Sequence, residues 1–319
     1  MKITALAGGV GGAKLAHGLA LALPVEDLTV IVNTGDDFEQ FGLSISPDLD
    51  TVCYTLAGLA NPITGWGLKE ETWQVLSQLK QLGAPDWFKL GDKDLATHLE
   101  RTRLLHAGQG LAEVTRILCE RWGIQQWVFP MTDSAVATQV QTTEGIWLDF
   151  QEYFVAQVCK PTLQDIRFTG AATAEPAPGV LEAIEQSDGV VICPSNPYLS
   201  ILPILSIPGI LDSLRKKIVV AVSPIISGQA VKGPLAKMIQ DLTGNAADAL
   251  FAADFYRERM NLAGYLMDDQ DLALAEQVEA WGIICDTCDT MMPGSADRLR
   301  VASKALTLLE TCITRKVNL

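Results

Sequence analysis

Apolar residues in this 319-residue chain fall into short runs cut by glycine, proline and small polar residues. These runs alternate with stretches in which leucines recur every three or four positions. The first run, residues 3–7, breaks at Gly8, Gly9, Gly11 and Gly12, and a helical pattern begins at Lys14-Leu15 and continues through Leu19 and Leu21. The second run, residues 28–32, ends in Asn33-Thr34-Gly35-Asp36-Asp37, so residues 1–35 read as strand, helix, strand, the start of a parallel sheet. Further strands are predicted at residues 127–130, 189–193 and 217–222, each ending in small polar residues or proline. Helical faces are predicted along Trp73, Leu76, Leu79 and Leu82, and along Leu111, Val114 and Leu118, closed by Gly123. Pro176 and Pro178 open a helix through Leu181 and Ile184, and Pro234 starts another that stops at Gly244.

Residues 136–174 alternate more, with β-rich runs at 136–142, 146–150 and 153–158 and a turn at Glu144-Gly145. They predict a β-hairpin excursion packed against the main sheet. The tail predicts a short strand at 249–252, a helix, a short strand near 282–285 and a closing helix from about 295 to 313. Together these elements predict an α/β fold: a Rossmann-like three-layer parallel sheet forming one domain over 1–319. A mostly helical lobe is inserted at about 40–125.

A hydrophobic content of 48% with 19% charged residues supports a compact folded chain. The net charge of −14 argues against a nucleic-acid binder, which needs a basic face. Nucleotide binding stays open, because one lysine or a helix end can hold a phosphate. No apolar span reaches the roughly 18 residues a membrane helix needs, and no signal-peptide pattern opens the chain, so a cytoplasmic protein without membrane contact is expected. Seven cysteines without framework spacing fit reduced thiols, and Cys285-Asp-Thr-Cys288 reads as a coincidental pair at a strand end.

The candidate chemistry gathers where strands end. A strand running through a glycine turn into a helix aims backbone N–H groups at an anion. This turn is not the dinucleotide fingerprint, because Lys14 stands where its third glycine belongs, and not a P-loop, because Leu15 follows Lys14. The second strand carries no ribose-binding acid. Four aspartates, Asp36, Asp37, Asp48 and Asp50, crowd into fifteen residues beyond it, a density that suits Mg²⁺. Ser46 or Asp48 can cap a helix starting there. Trp66, between two glycines, can stack on an aromatic ligand or pack. Asp94 can cap a helix carrying His98, and His98, like His17 and His106, reads as structural. Ser195-Asn196 and Ser223 offer donors on the same sheet edge as the glycine turn, which makes a nucleotide cleft there more specific.

These motifs carry a resemblance. Ala7 to Leu15, Val-Asn-Thr-Gly-Asp-Asp at 32–37, Ile-Ser-Pro-Asp-Leu-Asp-Thr-Val at 45–52 and Gly65-Trp66-Gly67 are similar to the 2-phospho-L-lactate transferase family. So are the stretch from Lys89 to His98, Pro-Met-Thr-Asp at 130–133, Pro-Ser-Asn-Pro at 194–197 and the stretch from Val222 to Gly228. The blocks run in order from residue 7 to about 237, while the family's Ala-Asp-Thr near the end stands here as Cys288-Asp289-Thr290. The resemblance implies an enzyme of coenzyme F420 biosynthesis. It would move a phospholactyl or phosphoenolpyruvyl group from a guanosine-diphosphate-linked three-carbon acid to the deazaflavin Fo, releasing GMP and requiring Mg²⁺. The inserted lobe would then bind the acceptor, with Asp50 and Lys89 at the deazaflavin and Trp66 beside it. The cleft of Gly9, Gly11, Gly12, Lys14, Ser195, Asn196 and Ser223 would hold the nucleotide. Asp50 and Asp48 are the expected catalytic carboxylates, and Asp50 with Asp37 the expected Mg²⁺ ligands; metal ligand and base remain alternatives for Asp50. Asp50→Asn is expected to abolish turnover with folding nearly intact. A homodimer is expected as the common state. The competing readings are a non-catalytic regulator of related fold that binds nucleotide-sugars, and a dehydrogenase, which the glycine spacing disfavours.

Overall fold

The computed structural model describes residues 1–231 and 233–317. Seven strands form one parallel sheet: β1 (Ile3–Ala7), β2 (Leu28–Val32), β3 (Trp127–Pro130), β4 (Gly189–Ile192), β5 (Val219–Val222), β6 (Leu262–Asp268) and β7 (Ile284–Cys288). Their spatial order is β7-β6-β5-β4-β1-β2-β3. The chain winds outward from β1 through β2 to β3, then returns to β4 and winds the other way, so the order reverses between β1 and β4. Parallel strands covered on both faces read as continuous apolar runs, and β1, β4 and β5 are buried at every position. Side chains alternate between two cores. Ala5, Val30, Val191 and Val220 meet α1 (Gly9–Ala22) and the C-terminal helix Ser295–Val317. Leu6, Ile31, Val190 and Ile192 meet helices Val180–Gln186, Ile210–Leu214 and Ala249–Arg257.

Between β2 and β3 lie a short hairpin and four helices: α2 (Pro47–Leu56), α3 (Gln74–Gln81), α4 (Asp92–His106) and α5 (Leu111–Arg121). Helix α3 follows the predicted apolar face but buries no residue, and Leu82 beyond it is 83% exposed.

Four predicted boundaries differ. Helix α1 begins at Gly9 rather than Lys14, because the glycines themselves form its first turn. Residues 249–252 are helical, not a strand: Asp248 caps helix Ala249–Arg257 by accepting the Phe251 N–H at 2.9 Å. The strand on that side of the sheet is β6, which the sequence reading did not predict. Its Gly264 lies under the C-terminal helix, where a Cβ would come within 2.9 Å of Cys312 Sγ. In the excursion, Ala137–Thr142 pairs with Trp147–Asp149 and with Leu163–Thr169, while the run at 153–158 forms a wide helical turn, Glu152–Ala156.

Candidate active site at the switch point

Open α/β sheets bind ligands beyond the carboxyl ends of their strands, where the strand order reverses. Here that point is stitched shut behind the cavity. Gly9 takes φ +62°, a conformation that favours glycine, and a Cβ on Gly11 would sit 2.3 Å from the Pro194 carbonyl oxygen in the loop after β4. Ser195 Oγ accepts the Gly8 N–H at 3.1 Å and donates to the Gly8 carbonyl at 2.9 Å. The two switch-point loops are thus held in direct contact.

The exposed N–H of α1 does not face empty space. Asp48, on α2, accepts the Gly9 N–H at 2.7 Å through Oδ1, and its Oδ2 accepts from Asn33 Nδ2 at 3.0 Å. The same Asn33 nitrogen donates to Asp36 Oδ1 at 2.9 Å, so one amide bridges two carboxylates. Burial pushes the Asp48 carboxyl up to about 6, against the opposing bonds from Asn33 and Gly9. Burial, then the charges of Asp48 and Asp37, push Asp36 well above the usual carboxylate range. Burial does the same to Asp37. The Ser46 hydroxyl stands at the α2 N-cap position but donates to Asp37 Oδ2 at 2.6 Å instead of capping the helix. The other Asp37 oxygen is buried without a hydrogen-bond partner.

The fourth aspartate has a different fate. Arg101, on α4 and 2% exposed, forks onto Asp50: Nη1 donates to Oδ2 at 3.0 Å and Nη2 donates to Oδ1. Burial works against the Arg101 charge, but the attraction and hydrogen bonds of Asp50 outweigh it and raise its pKa. Arg101 Nη1 also lies 3.2 Å from His98 Nδ1, and His98 Nε2 lies 3.4 Å from Asp94 Oδ2. Tyr54 donates its hydroxyl to Asp94 Oδ1 at 2.7 Å. Burial tends to raise Asp94, but His98, Tyr54 and Arg101 outweigh it and hold the carboxyl below its usual range. Asp94 does not cap α4, as the sequence reading had it; Glu71 takes the Lys93 and Asp94 N–H groups at 2.6 and 3.2 Å, which frees Asp94 for this network. Removing the Asp50 charge would leave Arg101 buried without its counter-ion, so Asp50→Asn cannot leave folding untouched.

Asp50, Asp94 and His98 offer ligand atoms within 4.8 Å of one another, a group that could hold a metal ion. The Arg101 guanidinium, itself a cation, already bonds two of the three. Mg²⁺ prefers oxygen ligands, one or two of them carboxylates. Asp36 and Asp48, backed by Asp37 with its orphaned oxygen, fit that preference better: they are buried carboxylates with no cationic partner at bonding distance among the described residues.

A cavity of about 620 Å³ opens over these groups. Gly9, Gly11, Lys14, Asp48, Asp50, Trp66, Lys89, Ser195, Asn196 and Ser223 line it, and Asp37 and Gly12 do not. The polar side chains of the later loops are partly spent on shaping them. Asn196 Oδ1 accepts from Tyr198 and Leu199 N–H, and Ser223 Oγ bonds both the N–H and the carbonyl of Ile225. The sequence reading missed Arg101 and Tyr54 as site residues, counted Asp36 in the acid cluster without giving it a role, and took His98 and Asp94 as structural. It also missed Trp87 and Phe88, which line the cavity beside Lys89 and pack edge to face 5.8 Å apart, and the Phe150–Phe154 stack at 5.3 Å. An aromatic pair directly before Lys89 was the one available signal. Cys285 packs into one core and Cys288 against the other, on opposite faces of β7, so this pair shares no ligand.

Strand order, switch-point cavity and buried carboxylates together define a doubly wound α/β protein with an acid-lined small-molecule site. The chain belongs to the family described as 2-phospho-L-lactate transferase CofD, whose model matches residues 3–280, and it is an enzyme that transfers phosphorus-containing groups. It is 43% identical over 316 residues to a phosphoenolpyruvate transferase of Streptomyces griseus, covering 97% of this chain and 99% of the relative. It is 37% identical to a 2-phospho-L-lactate transferase of Methanosarcina acetivorans, covering 96% and 98%. A solved structure of a UPF0052-family protein from Bacillus halodurans shares the fold, with a TM-score of 0.61 at 15% identity, covering 96% of this chain and 98% of that one. Among the described residues no helix is long and apolar enough to cross a membrane.

Proposed function

We propose that this enzyme transfers a phospholactyl or phosphoenolpyruvyl group from a guanosine-diphosphate-linked donor to the terminal hydroxyl of the deazaflavin Fo, releasing GMP, in coenzyme F420 biosynthesis. The observation that carries this reading is one cavity with two unlike kinds of lining: buried carboxylates beside the α1 N-terminus, and the aromatic and basic side chains of Trp66, Trp87, Phe88 and Lys89. Phosphoryl-type transfer asks the protein for positioning and charge stabilisation more than for covalent chemistry. In this reading the lobe at about 40–125 binds the acceptor, its aromatic wall stacks on the deazaflavin, and Lys89 bonds its polar edge. Gly11 and Lys14 receive the donor phosphates, while the Gly9 N–H holds Asp48 beside them. Because both Asp50 oxygens accept from Arg101, Asp50 orients the acceptor hydroxyl rather than holding metal. Asp36 and Asp48 would hold Mg²⁺, with Asp37 behind them; the bound ion would supply charge neutralisation at the donor diphosphate. The proposed setting is the cytoplasm, as a homodimer.

Purified protein would be given Fo, Mg²⁺ and the lactate and enolpyruvate donors in parallel. The expected result is GMP released in step with a phosphorylated deazaflavin, faster with enolpyruvate, since the more similar relatives carry that name. No product with either donor, from folded protein that binds a UDP-sugar, would replace this reading with the regulator.

A further inference from the structure

Asp50 and Arg101 form a buried ion pair in the wall of a substrate cavity, between α2 and α4. Such a pair is a poor stabilising device, because desolvation offsets much of the attraction and apolar residues of similar volume often do as well. Its geometry is more telling than its energy. The guanidinium is held on three sides: by Asp50, by His98 Nδ1 at 3.2 Å, and by the Ser44 carbonyl at 3.4 Å. Ser44 is tied to the same helix, since its N–H donates to Thr102 Oγ1 at 2.8 Å. If His98 Nδ1 accepts from Arg101, its proton sits on Nε2 and faces Asp94, whose other oxygen is taken by Tyr54. A chain of groups running Tyr54, Asp94, His98, Arg101 therefore ends on Asp50. Each Asp50 oxygen has two lone pairs and the fork uses one of each. The other two remain for a ligand in the cavity that Asp50 lines.

We propose that Arg101 is a positioning residue for the transfer reaction: its fork fixes the rotation of the Asp50 carboxylate, so that a free lone pair stays aimed at the acceptor hydroxyl, with His98 and Asp94 holding the fork in place. The inference rests on the proposed reaction and deepens it. A lysine could supply the charge but not the two parallel bonds, since its ammonium is a point charge on a flexible stem. Charge alone would hold Asp50 loosely, and misplacement of a reacting group by about 1 Å costs on the order of 100-fold in rate.

The test compares wild type, Arg101→Lys and Arg101→Gln in the GMP-release assay, with kcat and KM measured for donor and acceptor separately. Arg101→Lys should lose about 10-fold in kcat and Arg101→Gln about 100-fold or more, with donor KM within about 2-fold of wild type. Equal losses in the two variants, or losses that appear as raised donor KM, would assign Arg101 a merely structural role and overturn the inference. So would an Arg101→Gln variant with wild-type kcat. A melting comparison independent of turnover checks the pairing: Asp50→Asn/Arg101→Gln should melt above Arg101→Gln alone, because the double variant buries no unpaired charge. A double variant melting at or below the single one would overturn the pairing. A wild-type protein that releases no GMP would count against the proposed reaction itself; an active wild type beside an unaffected Arg101→Gln counts against this inference alone.

Discussion

Asp48→Asn offers the sharpest check on the acid cluster, because its effect reverses with pH. The Asp48 carboxyl is raised from an ordinary 3.8 to about 6, chiefly by burial. A carboxyl raised on folding binds its proton more tightly in the native state. The native protein is therefore favoured below about pH 4, loses stability as pH climbs from about 4 to 6, and stays penalised above that. A shift of about two units is worth about 3 kcal/mol. The asparagine variant carries no such penalty. Its amide oxygen can still accept from Gly9, but its NH₂ then faces the Asn33 NH₂, a donor-to-donor conflict that costs about 1–3 kcal/mol at every pH. In metal-free buffer the variant should accordingly be less stable than wild type near pH 4 and close to it, or above it, near pH 8. The difference should swing by about 3 kcal/mol across that range. Urea denaturation at half-unit pH steps with a chelator present measures it. Two stability curves that run parallel from pH 4 to 8 would show that Asp48 is not a strained buried acid. Adding Mg²⁺ at pH 8 should raise the midpoint of wild type and move that of the variant far less, as expected if the cation relieves the same penalty.

Three further outcomes are expected. Gly11→Ala should destabilise the fold by about 1–3 kcal/mol and weaken donor binding, because its methyl meets the Pro194 carbonyl oxygen rather than a yielding side chain; denaturation and a donor titration would read both. Lys89→Ala should raise acceptor KM about 10-fold while leaving the melting temperature unchanged, since the side chain is exposed and reaches the cavity. Cys285→Ser should keep wild-type turnover and metal content, because Cys288 lies on the far side of the strand; loss of a bound metal in that variant would contradict the reading.

The parallel sheet was legible because strands buried on both faces write themselves as unbroken apolar runs, and because the glycines between β1 and α1 mark a close backbone approach. The failures have physical causes. The Ala-Leu-Phe-Ala-Ala stretch from residue 249 is too short for periodicity to separate helix from strand, and only the Asp248 cap decides it. Strand β6 hides its character behind Gly264, which is there for the helix packed on it and not for the strand. The cavity residues were legible where they sat on strand ends, since topology alone gathers those. Trp87 and Phe88 come from the loop between α3 and α4, and nothing in their spacing says which way that loop folds.

The acid stretch shows where spacing stops being informative. In sequence, Asp36, Asp37, Asp48 and Asp50 form one set, and any two could be paired as metal ligands. In the fold they divide according to what lies opposite. Asp36, Asp37 and Asp48 face an amide, a serine hydroxyl and a helix end, which offer hydrogen bonds but, among the described residues, no full positive charge at bonding distance, and burial raises all three. Asp50 faces a guanidinium contributed from 51 positions further along the chain, a separation at which no local pattern survives. An uncompensated set of carboxylates invites a divalent cation; a compensated one serves better as a fixed hydrogen-bond acceptor. Positions two apart on α2 can therefore act on opposite halves of one reaction, Asp48 on the charged donor and Asp50 on the hydroxyl acceptor. The helix that carries both sets their relative placement more rigidly than any loop could.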